Sequence, residues 1–230
     1  MKLIVTGATG FVATELLRQA AKHPAITSVV TVSRSPVTIP EGVPAGKFTS
    51  VIVRDYDQYT EEAKRAFAGA GACIWTVGLT SRRYAEMDHA EATRICHTAT
   101  RVGLQTNAAA APATPFQFLY MSGGSAVRDQ STKLEGPLAR FYLMRGDVEN
   151  LVLAFAAEQD GFKAGSVRPG LMKMRAQLPE ILPMAEKNGL PTIALEDCCS
   201  AMLDVVINGF EKEPLNNDDL QAIADRVAAA

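Results

Sequence analysis

Residues 2–19, KLIVTGATGFVATELLRQ, constrain this chain more than any other stretch. Leu3 to Val5 is a short apolar run rich in β-branched residues, the pattern of a buried strand. Gly7 and Gly10 interrupt it. From Phe11 the period becomes helical, with Phe11, Leu16, Leu17, Ala20 and Ala21 forming one apolar stripe. A strand, a glycine turn and a helix make a cradle for an anion, because glycine lets the backbone come close and the free N–H groups at a helix start favour negative charge. The spacing is Gly7-x-x-Gly10-x-x-Ala13. Ala13 stands where close strand–helix packing asks for a third small residue. On this reading Gly7, Thr9, Gly10, Phe11 and Val12 hold the pyrophosphate of a dinucleotide. A plain βα turn is the alternative.

Further along, Ser28 to Ser33 reads as a second strand, followed at once by Arg34 and Ser35. The residue after this strand meets the adenine ribose in a dinucleotide fold; an acid there holds the 2′-hydroxyl of NAD, and an Arg accepts the 2′-phosphate of NADP. Glu15 is the last acid before Pro40, so NADP is the expected cofactor and NAD the less favoured one, unless Arg34 is a solvated loop residue. Strands are expected at 49–53, 72–77, 116–121 and 164–167, and helices at 59–68, 84–102 with Gly103 as its cap, 138–157, 196–207 and 218–227. An Ala/Pro loop is expected over 108–115. Asp55, after the third strand, meets the adenine edge or is an exposed turn acid. Val77 and Gly78 end the fourth strand beside the cofactor, and Pro169 follows the sixth. Strands alternating with helices imply an α/β fold: a three-layer, doubly wound parallel sheet in a single domain over 1–230, with residues from about 168 to 230 contributing a small substrate side.

Net charge is −2 and 47% of the 230 residues are apolar, which gives no support for nucleic-acid or bilayer binding. The apolar runs are of strand length, so no membrane span is expected. With the first strand beginning at residue 3, a cleaved leader has no room and a cytoplasmic location is expected. The four cysteines form no C-x-x-C pair and are expected to be reduced thiols. The three histidines have no metal-ligand spacing, and no metal site is expected.

Thr6-Gly-Ala-Thr-Gly-Phe-Val-Ala13, Phe118-Leu-Tyr-Met-Ser-Gly-Gly-Ser125, Val167-Arg-Pro-Gly170 and Thr192-Ile-Ala-Leu-Glu-Asp197 occur in an order and spacing that resembles the short-chain dehydrogenase/reductase superfamily. The resemblance is to its atypical branch, with NmrA-like and TIP30-like proteins nearest in feel, and it spans most of the chain. It implies an NAD(P)-binding Rossmann domain. It also implies a serine after the fifth strand, a tyrosine that moves a proton, and a lysine four residues on that lowers the tyrosine pKa. Ser122 matches the serine, with Ser125 as its substitute; a turn serine bonding its own backbone is the alternative. Tyr142 is the one tyrosine after that strand, but residue 146 is Gly. Arg145 lies at i+3, and Phe141 to Arg145 keeps the family spacing with the tyrosine gone. Tyr142 and Arg145 are therefore either an altered acid–base pair, or a core aromatic beside a site that does no redox step.

Ligands of such sheets sit beyond the carboxyl ends of the strands. Leu79, Thr80, Tyr84, Gly123, Ser125, Leu171 and Met172 are the expected pocket, with Met174 and Met184 extending an adaptable apolar wall. The function expected is an NADP-dependent oxidoreductase on a small, fairly apolar carbonyl, alcohol or enone. Two others compete: an SDR-like enzyme of isomerisation, cyclisation or elimination, and an NADP(H)-sensing regulator. The expected partner is a small-molecule substrate and the expected assembly a monomer or homodimer.

Overall fold

Leu3, Ile4 and Val5 expose none of their surface, as a strand covered on both faces requires. They form β1 (Lys2–Thr6), which pairs in parallel with β2 (Ser28–Ser33) on one side and β4 (Ala72–Trp75) on the other. The computed structural model describes residues 1–110 and 112–230. With β3 (Phe48–Ile52), β5 (Phe116–Met121), β6 (Phe162–Arg168) and a short β9 (Leu215–Asn216), these strands form a seven-stranded parallel sheet in the order β3-β2-β1-β4-β5-β6-β9. Strand order reverses between β1 and β4, the place where a crevice opens in folds of this kind.

Helices cover both faces, so the expected three-layer arrangement holds. On one face α1 (Phe11–Lys22), α8 (Leu195–Asn208) and α9 (Asn217–Ala228) bury Leu16, Leu17, Met202, Val206 and Leu220 against the sheet. On the other, α2 (Glu61–Phe67), α5 (Ala99–Ala109) and α6 (Ala139–Ala157) bury Phe67, Leu104, Val148 and Val152 against Trp75 and Phe118. Phe11 departs from the expected stripe. It is 52% exposed at the start of α1, facing a cavity rather than the core.

The long helix expected over 84–102 is broken. Thr80 caps a short α3 (Ser81–Ala85), and the Asp88 carboxylate accepts from the Ala90 and Glu91 N–H groups to start α4 (His89–Thr93). A π-helical turn, Arg94–Thr98, then joins α4 to α5. Gly103 is not a cap. It lies inside α5 with Trp75 pressed on it, where a Cβ would come 2.3 Å from Cζ3. The helix runs to Ala109, which shortens the Ala/Pro loop; Ala111 lies outside the described residues.

After β6 the chain makes a second, two-stranded parallel sheet, β7 (Leu171–Lys173) with β8 (Thr192–Ala194), joined through α7 (Leu178–Lys187). Neither β7 nor α7 stands out in the sequence, since three residues are too few to show a period and Pro179 and Pro183 disguise the helix. Cys73, Cys96, Cys198 and Cys199 are free and buried. Burial pushes the Cys198 thiol up to about 12, so it stays protonated. No helix among the described residues is long and apolar enough to cross a membrane.

Candidate active site

The turn between β1 and α1 is shaped by its own contacts. Gly7 has φ +68°, and a Cβ there would meet Thr76 Oγ1 at 2.6 Å. That hydroxyl in turn donates to Thr6 O at 2.6 Å, tying β1 to the end of β4. The Gly10 N–H donates to Gly7 O at 2.8 Å and closes the turn. Gly10 then caps α1 with no side-chain hydrogen bond, and the first turn of α1 carries no acid. Its N–H groups are thus left for an anion. Ala13 is fully buried where helix meets strand, so the methyl is accommodated. Thr9 is exposed on the turn, and Val12 is buried with one edge on the cavity.

Arg34 and Ser35 are exposed beyond the end of β2. The Arg34 charge acts on the Tyr56 phenol, whose oxygen lies 3.4 Å from Val32 O beneath the glycine turn. Burial pushes that phenol up, against the opposing pull of Arg34 and the Gly7 N–H. Asp55 is paired with Arg94 at 3.2 Å, and the same guanidinium holds Asp57 at 3.0 Å.

A cavity of about 670 Å³ opens beyond the carboxyl ends of β1, β4, β5 and β6. It runs from Gly10, Phe11 and Val12 past Gly78, Leu79 and Thr80 to Met121, Ser122, Gly123 and Ser125. Tyr142 and Arg145 close one side, and Pro169, Leu171 and Met172 the other. Most of the expected pocket is thus brought together. Gly78 leaves open space, since a Cβ there would meet nothing within 4 Å. Val77 is buried behind it. The Thr80 hydroxyl is engaged in capping α3. Tyr84 sits a layer back, its ring tilted against Phe141 with centroids 4.8 Å apart and its hydroxyl 3.1 Å from His89 Nδ1. Met174 and Met184 are exposed elsewhere, so of the three methionines only Met172 walls the cavity. Thr76, Gly124, Phe141, Leu190 and Pro191 also line it. The last two arrive through the β7–β8 pairing, which the sequence does not announce.

α6 brings Phe141, Tyr142 and Arg145 to the cavity. Arg145 donates to Leu79 O at 3.1 Å and Met121 O at 3.3 Å, and its guanidinium carbon lies 5.3 Å from the Phe141 ring centroid. Phe141 and Arg145, four apart, share one face of α6, and Tyr142 is half-buried beside them. Position 146, where the family lysine is expected after Tyr142, is filled by backbone: a Cβ on Gly146 would stand 1.8 Å from Val127 O. The Ser122 hydroxyl is sealed from solvent with no partner in hydrogen-bond geometry. Its effect falls on Glu149, whose ionised form it favours. Ser125, by contrast, is exposed.

Behind the cavity lies an ionic cluster that sequence reasoning missed. The fully buried Glu149 carboxylate accepts from Arg168 at 2.5 Å and 2.9 Å and from Arg128 at 2.6 Å. Arg128 also binds Glu213, which accepts from Ser166 Oγ at 2.7 Å. Burial pushes the Glu149 carboxyl up, but Arg168, Ser122 and Arg128 outweigh it and hold the group below the usual carboxylate range. A carboxylate among Val148, Leu151 and Val152 is the one sequence signal for it.

No family model matches the sequence, and no curated protein matches it. Solved structures do. The reductase domain of PhqB from Penicillium fellutanum superposes with a TM-score of 0.71 at 18% identity, over 95% of this chain and 67% of that one. DesIV, a dTDP-glucose 4,6-dehydratase from Streptomyces venezuelae solved with NAD and TYD, gives 0.69 at 16% identity, over 100% and 82%. A short-chain dehydrogenase/reductase from Saccharomyces cerevisiae gives 0.65 at 13% identity, over 97% and 98%. The chain thus has the Rossmann-type α/β fold of these three structures.

Proposed function

We propose that this protein is an SDR-type enzyme that binds NADP(H) and acts on a small, fairly apolar carbonyl, alcohol or enone. The observation that carries this reading is the single cavity running from the uncapped start of α1 at Gly10 to Tyr142 and Arg145. DesIV was solved with NAD on the same fold, which supports a nicotinamide dinucleotide; Arg34, in place of an acid, supports the 2′-phosphorylated form. The open space at Gly78 fits a cofactor passing close to the backbone. When bound, the nicotinamide supplies hydride chemistry. On the protein side, Gly7, Thr9, Gly10, Phe11 and Val12 hold the phosphates, and Arg34 with Ser35 the ribose end. Arg145 orients the substrate, and Tyr142 or Ser125 exchanges a proton with the reacting oxygen. Residues from 168 to 230 give the substrate side, through Pro169 to Met172 and Leu190.

A second reading has its own support. With Phe at 141, Gly at 146 and the Ser122 hydroxyl sealed, the tyrosine–lysine–serine set of the resemblance is absent as a unit. That favours an isomerisation, cyclisation or elimination in the same cavity. Following nicotinamide absorbance while a carbonyl and enone panel is converted separates the two. A stoichiometric absorbance change supports redox chemistry, and product without one supports the second reading.

A further inference from the structure

We propose that the substrate presents a carboxylate to Arg145. The proposal names the substrate class of the cavity described above and rests on reading that cavity as a substrate site.

Among the described residues lining the cavity, Arg145 carries the one charge; no acid faces it. Its two hydrogen bonds run to neutral carbonyls, Leu79 O and Met121 O. Nε is sealed from solvent with no protein acceptor. A guanidinium has five donors, so these two bonds leave donors unused. The nearby carboxylates of α6 are committed elsewhere. Glu149 is taken by Arg168 and Arg128, and Asp147 lies 3.4 Å from His97. A half-buried cation without a counter-ion is costly unless a ligand supplies one.

The surroundings fix where that ligand sits. The Phe141 ring and the two carbonyls hold the guanidinium plane still. Gly123 flanks it with no side chain; a Cβ there would already stand 3.5 Å from Nε, Cζ and Nη2. A planar, bidentate oxyanion is what a fixed guanidinium fork recognises best. The rest of the lining, Phe11, Leu79, Leu171, Met172 and Leu190, suits an apolar body attached to that group.

Benzoate and benzamide share one shape and differ in charge, so they test this directly. Calorimetric titration of the full chain, with and without saturating NADP+, is expected to show benzoate binding at least about tenfold tighter than benzamide. Added salt should shrink the difference. Arg145→Gln, with folding checked by circular dichroism, is expected to abolish the preference. Arg145→Lys keeps the charge but not the fork, and should lower benzoate affinity several-fold while leaving benzamide unchanged. That variant decides the matter if the glutamine form does not fold. Equal affinity for the two probes, no benzoate binding at about 10 mM, or an undiminished preference in both variants would overturn the proposal. A benzoate preference that depends on Arg145 in a protein that binds no dinucleotide would support it while removing the cofactor reading.

Discussion

Gly146 and the carbonyl of Val127 exclude any side chain between them: a Cβ at 146 would lie 1.8 Å from that oxygen and 2.6 Å from Arg128 N. The 127–128 backbone crosses α6 there, and Val127 N–H donates to Tyr142 O at 3.1 Å. The glycine that reads in the sequence as a missing lysine is a packing requirement. It leaves Arg145, one residue earlier, as the cation that faces the cavity.

Gly146→Ala is therefore expected to destabilise the protein by about 3 kcal/mol or more, at the upper end of overpacking costs, because the obstacle is backbone on both sides. Urea unfolding measures it. A loss below about 1 kcal/mol would mean that the crossing relaxes freely.

Gly103→Ala sets two effects against each other. Helix propensity favours alanine by about 1 kcal/mol. Against it, the new Cβ would press on Trp75 at 2.3 Å, costing about 1–3 kcal/mol. The clash is expected to win, giving a lower urea midpoint and a shifted emission from Trp75, the one tryptophan of the chain. A stabilised variant with unchanged emission would show that the ring has room to move.

These two glycines mark the boundary of what the sequence makes legible. β1, the glycine turn, α1 and the bounds of β2 and β5 are set by neighbours along the chain, and their periods are readable. Gly103 and Gly146 answer to Trp75 and Val127, which are close in space only. Phe11 looks like a core residue because its period is helical, yet it opens onto the cavity. Of the site, the glycine turn follows from local pattern, while Arg145 is an expectation that only the family resemblance supplies. The sealing of Ser122, the Glu149 cluster and the arrival of Leu190 depend on how distant segments pack.

Glu149 predicts an acid limit. Its folded-state pKa lies below the ordinary value because Arg168, Ser122 and Arg128 outweigh burial. A depressed carboxyl contributes stability above its unfolded pKa and loses it as pH falls through the folded one. Urea midpoints are expected to drop between about pH 5 and pH 3. Glu149→Gln, which leaves two arginines facing one acid, should cost about 3 kcal/mol or more at neutral pH and flatten that drop. An unchanged pH profile in the variant would remove Glu149 as its source.

Tyr142→Phe keeps the ring and removes the proton. On any carbonyl that the protein reduces, turnover is expected to fall by roughly 10²-fold, with NADP(H) affinity unchanged. Full activity would transfer the proton to Ser125 or water.

Calorimetric titration of the protein with NADP+ and NAD+ shows whether it has a dinucleotide site and whether Arg34 selects the cofactor. NADP+ is expected to bind more tightly by at least about 1.4 kcal/mol, about tenfold. Arg34→Glu should abolish or reverse that preference without altering the fold, since Arg34 is exposed. Equal affinity for the two dinucleotides would contradict the role of Arg34, and binding of neither would contradict the site itself.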